Sequence, residues 1–323
     1  MDFFYQPAVV PYRLVLVFAT ALGLHGYRSG SLSKSGAVAA AFLGYCTLAN
    51  PLKVFGVSLL VFYFAGSKIT KIKAAYKATL EAPEASPSST TPTKPGGNRS
   101  AAQVACNALV GAICAVAWRI LYSGEVKTVG DGVGSVWARE QWCVLDRQGS
   151  QWSRPLVITA VAFWSACSGD TFASELGILS RTPPKLITTF REVPPGTNGG
   201  ISALGTLLSI NGGLLVGTAA ALVISLEDTL CNRFEVWTTL LLVGSVSGFL
   251  GSGIDSLLGA TLQETLYSKK RKMVVHSRQK NKKSDDEDDS IESIAGYPIL
   301  SNNSVNLLSS GVTAVAAFWW ASR

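Results

Sequence analysis

The chain has 323 residues, of which 48% are hydrophobic and only 15% charged, and its mean hydropathy is +0.29. Soluble domains carry about 25% charged residues, so composition excludes an ordinary soluble protein and predicts an integral membrane one. The net charge of +7 does not imply nucleic acid as a partner, because a membrane protein gathers Lys and Arg in loops on one side of the bilayer.

A spanning helix needs about 20 mostly apolar residues. Eight stretches approach this: 8–24, 34–49, 53–67, 103–121, 156–178, 201–224, 236–263 and 303–321. They predict an all-α polytopic bundle of about seven to eight transmembrane helices, forming one integral membrane domain over 1–323. The second and third stretches are separated by Asn50 and Pro51 and read as a tight helical hairpin. Residues 81–100 are rich in Pro, Ser, Thr and Gly and read as a flexible linker. Residues 122–154, polar with several Trp, read as a small extramembrane hairpin. Residues 268–290 run from SKKRK to DDEDDS, a block of one sign followed by the other, and read as a charged disordered loop. Trp319 and Trp320 close the last stretch as part of an interfacial aromatic belt. Six cysteines without a CxxC pair read as small buried hydrophobes and not as a disulfide framework.

If the loop after the third span is cytosolic, loops 25–35, 67–102, 180–200 and 264–302 share that side and hold 19 of the 28 basic residues. Both termini are then expected on the opposite side. No organelle address is legible, so the endoplasmic reticulum is the default location.

Acids within spans are costly unless paired, hydrated or bound to a cation. Asp170 and Glu175 lie near the cytosolic end of the fifth span, and Asp255 near that of the seventh. They are the expected ligands of Mg²⁺, which would bridge the phosphates of a nucleotide. The alternative is that each is paired with Lys or Arg from a nearby loop. On a continuous helix, positions 170 and 175 diverge by about 140°, so a shared ion requires a break at Gly169. Lys68, Lys71, Lys185 and Arg191 are expected to neutralise phosphates. The turn Gly196, Thr197, Asn198, Gly199 and Gly200 offers backbone N–H groups at the start of the sixth span. Ser247, Gly251, Asp255, Gly259 and Gln263 form a stripe at spacing four, in which the glycines favour close packing. Asn107, Asn303 and Asn306 read as interhelical hydrogen-bonding groups.

Six collinear pieces carry a resemblance. They are Gly66–Lys73 (GSKITKIK), Gln103–Val110, Ser168–Ser180 (SGDTFASELGILS), Pro194–Ser202 (PPGTNGGIS), Gly251–Gln263 and Asn302–Ser310. The chain resembles the transmembrane protein 19 family, also known as domain of unknown function 92, which includes a plant phytyl-phosphate kinase. The resemblance implies a kinase that converts an isoprenoid monophosphate to its diphosphate at the cytosolic membrane face, with CTP or another nucleoside triphosphate as donor. Asp170, Glu175 and Asp255 would be its catalytic and metal-binding residues. A transporter or channel using the same acids as ion or proton sites is the rival reading, and a non-catalytic scaffold is a third.

Overall fold

The computed structural model describes residues 12–72, 98–122, 125–127, 133–135, 142–147, 151–270, 272–275 and 291–323. Among them are eight α-helices: α1 (Tyr12–Arg28), α2 (Lys34–Leu48), α3 (Val54–Ile72), α4 (Ala101–Tyr122), α5 (Ser153–Leu176), α6 (Ala203–Glu227), α7 (Phe234–Leu262) and α8 (Asn302–Ala321). The expected bundle is therefore present, one helix for each apolar stretch. By length and apolarity alone, four of these are long enough to span: α4, α5 with its 3₁₀ extension to Leu179, α6 and α7. The 15-residue α2 rises only about 22 Å, short of a hydrocarbon core of about 30 Å.

Helix α5 is the hub. Every residue from Val157 to Gly169 is buried, and Trp164 and Phe163 are fully enclosed. A helix apolar all round is one surrounded on every side, and α5 packs against α3, α4, α6, α7 and α8. Where α5, α6 and α7 cross, small residues let the backbones touch. A Cβ on Gly169 would come within 2.6 Å of Gly248 Cα, and one on Gly244 within 2.6 Å of Gly213 O. Gly251 lies against Ala166 and Gly259 against the 198–199 turn, the packing role expected of that stripe.

The helix ends sort into two faces. On one, Ser33, Ser202 and Ser301 cap the starts of α2, α6 and α8, each accepting from a backbone N–H three residues on. The end of α7 is closed there by Tyr297 N and Leu300 N, which donate to Thr261 O and Leu262 O. A three-stranded antiparallel sheet covers this face. Its order is β6 (Met273–Val275), β5 (Thr265–Ser268), β7 (Ile291–Ala295). Part of the segment expected to be a disordered loop is thus sheet, because Val274 and Val275 bury themselves. Residues 271 and 276–290 lie outside the described residues, as do 81–97 of the expected linker.

At the opposite ends, Asn50 Nδ2 donates to Ala115 O at 2.7 Å, and Lys53 pairs with Glu227 at 3.5 Å. There β1 (Glu125–Lys127) and β2 (Val133–Ser135) form an antiparallel hairpin, within the segment expected to hold one. Cys143 and Cys231 form a disulfide on this face, beside the Arg233–Asp146 ion pair. This corrects the expectation that the cysteines serve only as buried hydrophobes. These two lie in connections outside the spans and are brought together by the ends of α5, α6 and α7.

Candidate functional site

Helix α5 runs unbroken through Gly169, which is a packing point and not a hinge. Asp170 and Glu175 therefore diverge, as a regular helix demands. Asp170 faces a small polar cavity of about 10 Å³, on the scale of one water molecule or one bare cation. Its other walls are Asn107 of α4, Ala166 and Cys167 of α5, and Asn306, Ser309 and Ser310 of α8. Asp255 of α7 stands behind one wall, its Oδ2 accepting from Ser309 Oγ at 3.2 Å. Asp170 and Asp255 both lie within electrostatic reach of Cys167. One aspartate thus lines the cavity and a second, from another helix, bonds to its Ser309 wall, with Asn107 and Asn306 facing it and not simply bonding between helices. Asp170 is six residues from the end of α5 and Asp255 seven from the end of α7, roughly 10 Å along each helix from the end that meets the basic loops, the basic face.

Glu175 turns elsewhere. Among its electrostatic neighbours is Arg99, a residue that the sequence places in the flexible linker. The structure fixes Arg99 instead. Its N–H donates to Ser31 O and its carbonyl accepts from Ser33 N, both at 3.0 Å. Its guanidinium donates to Ser67 Oγ and Thr70 Oγ1 of α3, each at 3.4 Å. Burial pushes the Arg99 pKa down, while Tyr63 and Glu175 oppose the shift. Among the described residues no three His, Cys, Asp or Glu gather as a metal cluster. Asp170 and Glu175 do not share a site, for the angular reason above, and Asp255 is linked to the Asp170 cavity through Ser309.

The expected cations are distributed differently from the acids. Lys68, Lys185 and Arg191 are all exposed. The face of α3 turned inward carries Gly66, Ser67 and Thr70, against Thr171 and Arg99. The side chain of Lys71 lies outside the described residues.

Gly196–Gly200 also differs from expectation. Thr197 N donates to Pro194 O at 3.2 Å, Asn198 N to Thr265 Oγ1 at 3.1 Å, and Gly200 N to Thr197 O at 3.0 Å. Three of the five amides are therefore engaged in holding the turn. Gly196 and Gly199 adopt φ of +89° and +77°, which L side chains rarely take. Gly199 packs on Ser256 and Ala260 of α7. The segment is a strap across the end of α7 and not an open phosphate cradle, and it presses one turn beyond Asp255. The two-residue strands β3 (Lys185–Leu186) and β4 (Gly200–Ile201) close its base.

A second cavity adjoins the first. An apolar groove of about 80 Å³ runs between α1, α2, α3 and α4, walled by side chains such as Leu22, Leu43, Leu59 and Phe62. Arg99 and Tyr63 stand at its basic-face end. Asn107 lines both the groove and the polar cavity. Neither Arg99 nor this groove is legible in the sequence. Its walls are scattered over four helices, and each looks like ordinary bundle core.

The sequence profile described as "Integral membrane protein DUF92" matches residues 17–314. The chain is 29% identical over 316 residues to Protein PGR of Arabidopsis thaliana, covering 95% of this chain and 97% of that one. It is 37% identical over 116 residues to an uncharacterized membrane protein of Methanocaldococcus jannaschii, covering 36% and 42% of the two chains. An uncharacterized membrane protein of Synechocystis sp. is 28% identical over 227 residues, covering 64% and 74%. No solved structure matches.

Proposed function

The chain belongs to the integral membrane protein DUF92 family, and from that premise we propose that it is a phosphotransferase. In this reading it converts an isoprenoid monophosphate to the diphosphate at the basic face, with CTP or another nucleoside triphosphate as donor. The observation that carries the reading is the junction at Asn107. There a polar cavity lined by Asp170, with Asp255 behind its Ser309 wall, shares a wall with an apolar groove. A reaction between a water-soluble donor and a lipid-soluble acceptor needs both environments side by side.

Mg²⁺ suits this pair. The ion is ordinarily held by one or two carboxylates together with substrate phosphates, not by an all-protein cage. Asp170 and Asp255 would hold it, with the amide oxygens of Asn107 and Asn306 as further hard donors. Bound there, it would neutralise charge that develops between donor and acceptor phosphates. The residues of the chain fix the acceptor and exclude water. Ser309 orients Asp255 through its hydrogen bond, and the Gly196–Gly200 strap holds the end of α7 that carries Asp255. Lys185 and Arg191, exposed on the same face, would attract the incoming nucleotide. Transfer onto a phosphate oxygen depends on positioning and charge more than on a strong base.

The depth of the acids favours this over transport. A transporter binds near the bilayer midplane, whereas both aspartates lie nearer the basic-face end of their helices than the middle. The disulfide on the other face suits a membrane whose lumen is oxidising, such as the endoplasmic reticulum.

The test is incubation of purified protein with labelled CTP or ATP, Mg²⁺, and farnesyl or geranylgeranyl phosphate. Diphosphate product that disappears in Asp170→Asn is the expected result. No product with any pairing, from protein that is folded by thermal melt, refutes the proposal.

A further inference from the structure

The groove between α1, α2, α3 and α4 ends at a cation set by the backbone and not by an ion pair. Among the described residues no carboxylate comes within ion-pair distance of Arg99. Its two hydrogen bonds, to neutral hydroxyls at 3.4 Å, are long. A guanidinium has five N–H donors, so most of its capacity remains for a ligand. Half-buried, with its main chain clamped to the Ser31–Ser33 turn, it is pre-positioned. A charge in such a place is costly unless something compensates it.

We propose that this groove is the binding site for a single-chain amphiphile with a phosphate head. Arg99 holds the phosphate, with Tyr63 beside it, and the apolar tail runs between α1, α2, α3 and α4. The assignment rests on the phosphotransferase reading for the choice of phosphate and for what happens next, but not for the binding of an anionic amphiphile. Charge complementarity selects an anionic head, and the planar fork of Arg matches the paired oxygens of a phosphate or carboxylate. The tail environment is mostly apolar, with Leu22, Leu43, Leu59 and Leu60 among the walls. Asn107 lines both this groove and the polar cavity that Asp170 faces. Gly44 marks a point where the groove can be plugged. A Cβ built there meets only Ala19 Cβ, at 4.0 Å, so a larger side chain enters open space.

The experiment uses the full-length protein in detergent and measures binding of dodecyl phosphate, dodecyltrimethylammonium and inorganic phosphate. Dodecyl phosphate is expected to bind tightest. Arg99→Gln weakens it about tenfold or more, Arg99→Lys restores part of the loss, and Gly44→Leu weakens it while leaving the melting temperature near that of the parent. Equal binding of the ammonium amphiphile, or dodecyl phosphate binding unchanged by both Arg99→Gln and Gly44→Leu, overturns the assignment. If Arg99→Gln does not fold, the headgroup comparison and Gly44→Leu decide. Binding as expected without phosphoryl transfer refutes the kinase reading alone. Transfer that is indifferent to Arg99 and Gly44 refutes the groove assignment alone.

Discussion

Three carboxylates lie close to one membrane face, yet their side chains serve two different neighbourhoods. Asp170 lines the cavity between α4, α5 and α8 and Asp255 bonds to its Ser309 wall, while Glu175 lies toward Arg99. Their substitutions should therefore differ in kind. Asp170→Asn and Asp255→Asn are expected to lower kcat about 100-fold or more, the scale for losing one charge-stabilising group, with folding retained because the amide keeps the shape. Glu175→Gln removes a negative charge beside the proposed phosphate anchor. It should lower KM for the lipid phosphate a few-fold and leave kcat unchanged. Steady-state kinetics on the three variants separate these outcomes, and a Glu175→Gln effect on kcat as large as that of Asp170→Asn would restore the three-acid site. The acids were legible in the sequence because charge inside an apolar run stands out. Arg99 was not, because composition assigns it to a polar, proline-rich stretch while its backbone hydrogen bonds come from residues almost 70 positions earlier. The lysines show the converse. Lys68 stands out in the sequence, but the helix turns it outward.

At the scale of helices, the central crossing is set by what its residues lack. Gly244→Ala would push a methyl to within 2.6 Å of Gly213 O, a backbone atom that cannot move without shifting a helix. Gly253 and Gly311 are also helical, but a Cβ at either meets nothing within 4 Å. Alanine at those two positions should be neutral or stabilising by about 0.5–1 kcal/mol, whereas Gly244→Ala should lower the melting temperature markedly. A detergent thermal melt of the three variants checks the contrast, and equal behaviour would mean that the crossing is looser than drawn. The Cys143–Cys231 bond ties the connection after α4 to the one after α6, across 88 residues. Loop-closure entropy puts its contribution at up to about 4.6 kcal/mol. The double Cys→Ala variant should melt at a lower temperature and become insensitive to reductant. Helix positions were readable from apolar run length alone, to within a few residues at nearly every end. The disulfide was not, since spacing along the chain says nothing about two loops that meet only after three helices have packed. The sheet under α7 escaped for a similar reason, its strands being short and separated by a charged block.

For the molecule as a whole, two independent asymmetries point the same way. The bias of Lys and Arg assigns loops 25–35, 67–102, 180–200 and 264–302 to the cytosol. The disulfide, which persists in oxidising compartments, lies at the opposite helix ends. Neither signal depends on the other, since one is a count of charge and the other a pairing of sulfur. If both hold, the strap, the sheet and Arg99 would lie on the cytosolic side, where nucleotides are abundant. In sealed microsomes with the cytosolic face outward, a membrane-impermeant maleimide should label a cysteine introduced at exposed Lys185 or Tyr297 without detergent. A cysteine replacing exposed Trp152, and the native disulfide toward an impermeant reductant, should respond only after permeabilisation. The reverse pattern would put the acids on the oxidising side, away from the nucleotide supply that a kinase requires. Labelling of an introduced Ser309→Cys from both sides in turn would instead favour a cavity that alternates in access. The roughly 10 Å depth of Asp170 and Asp255 argues for the single-sided result, because the tightly packed crossing at Gly169, Gly213, Gly244 and Gly248 lies between them and the far face.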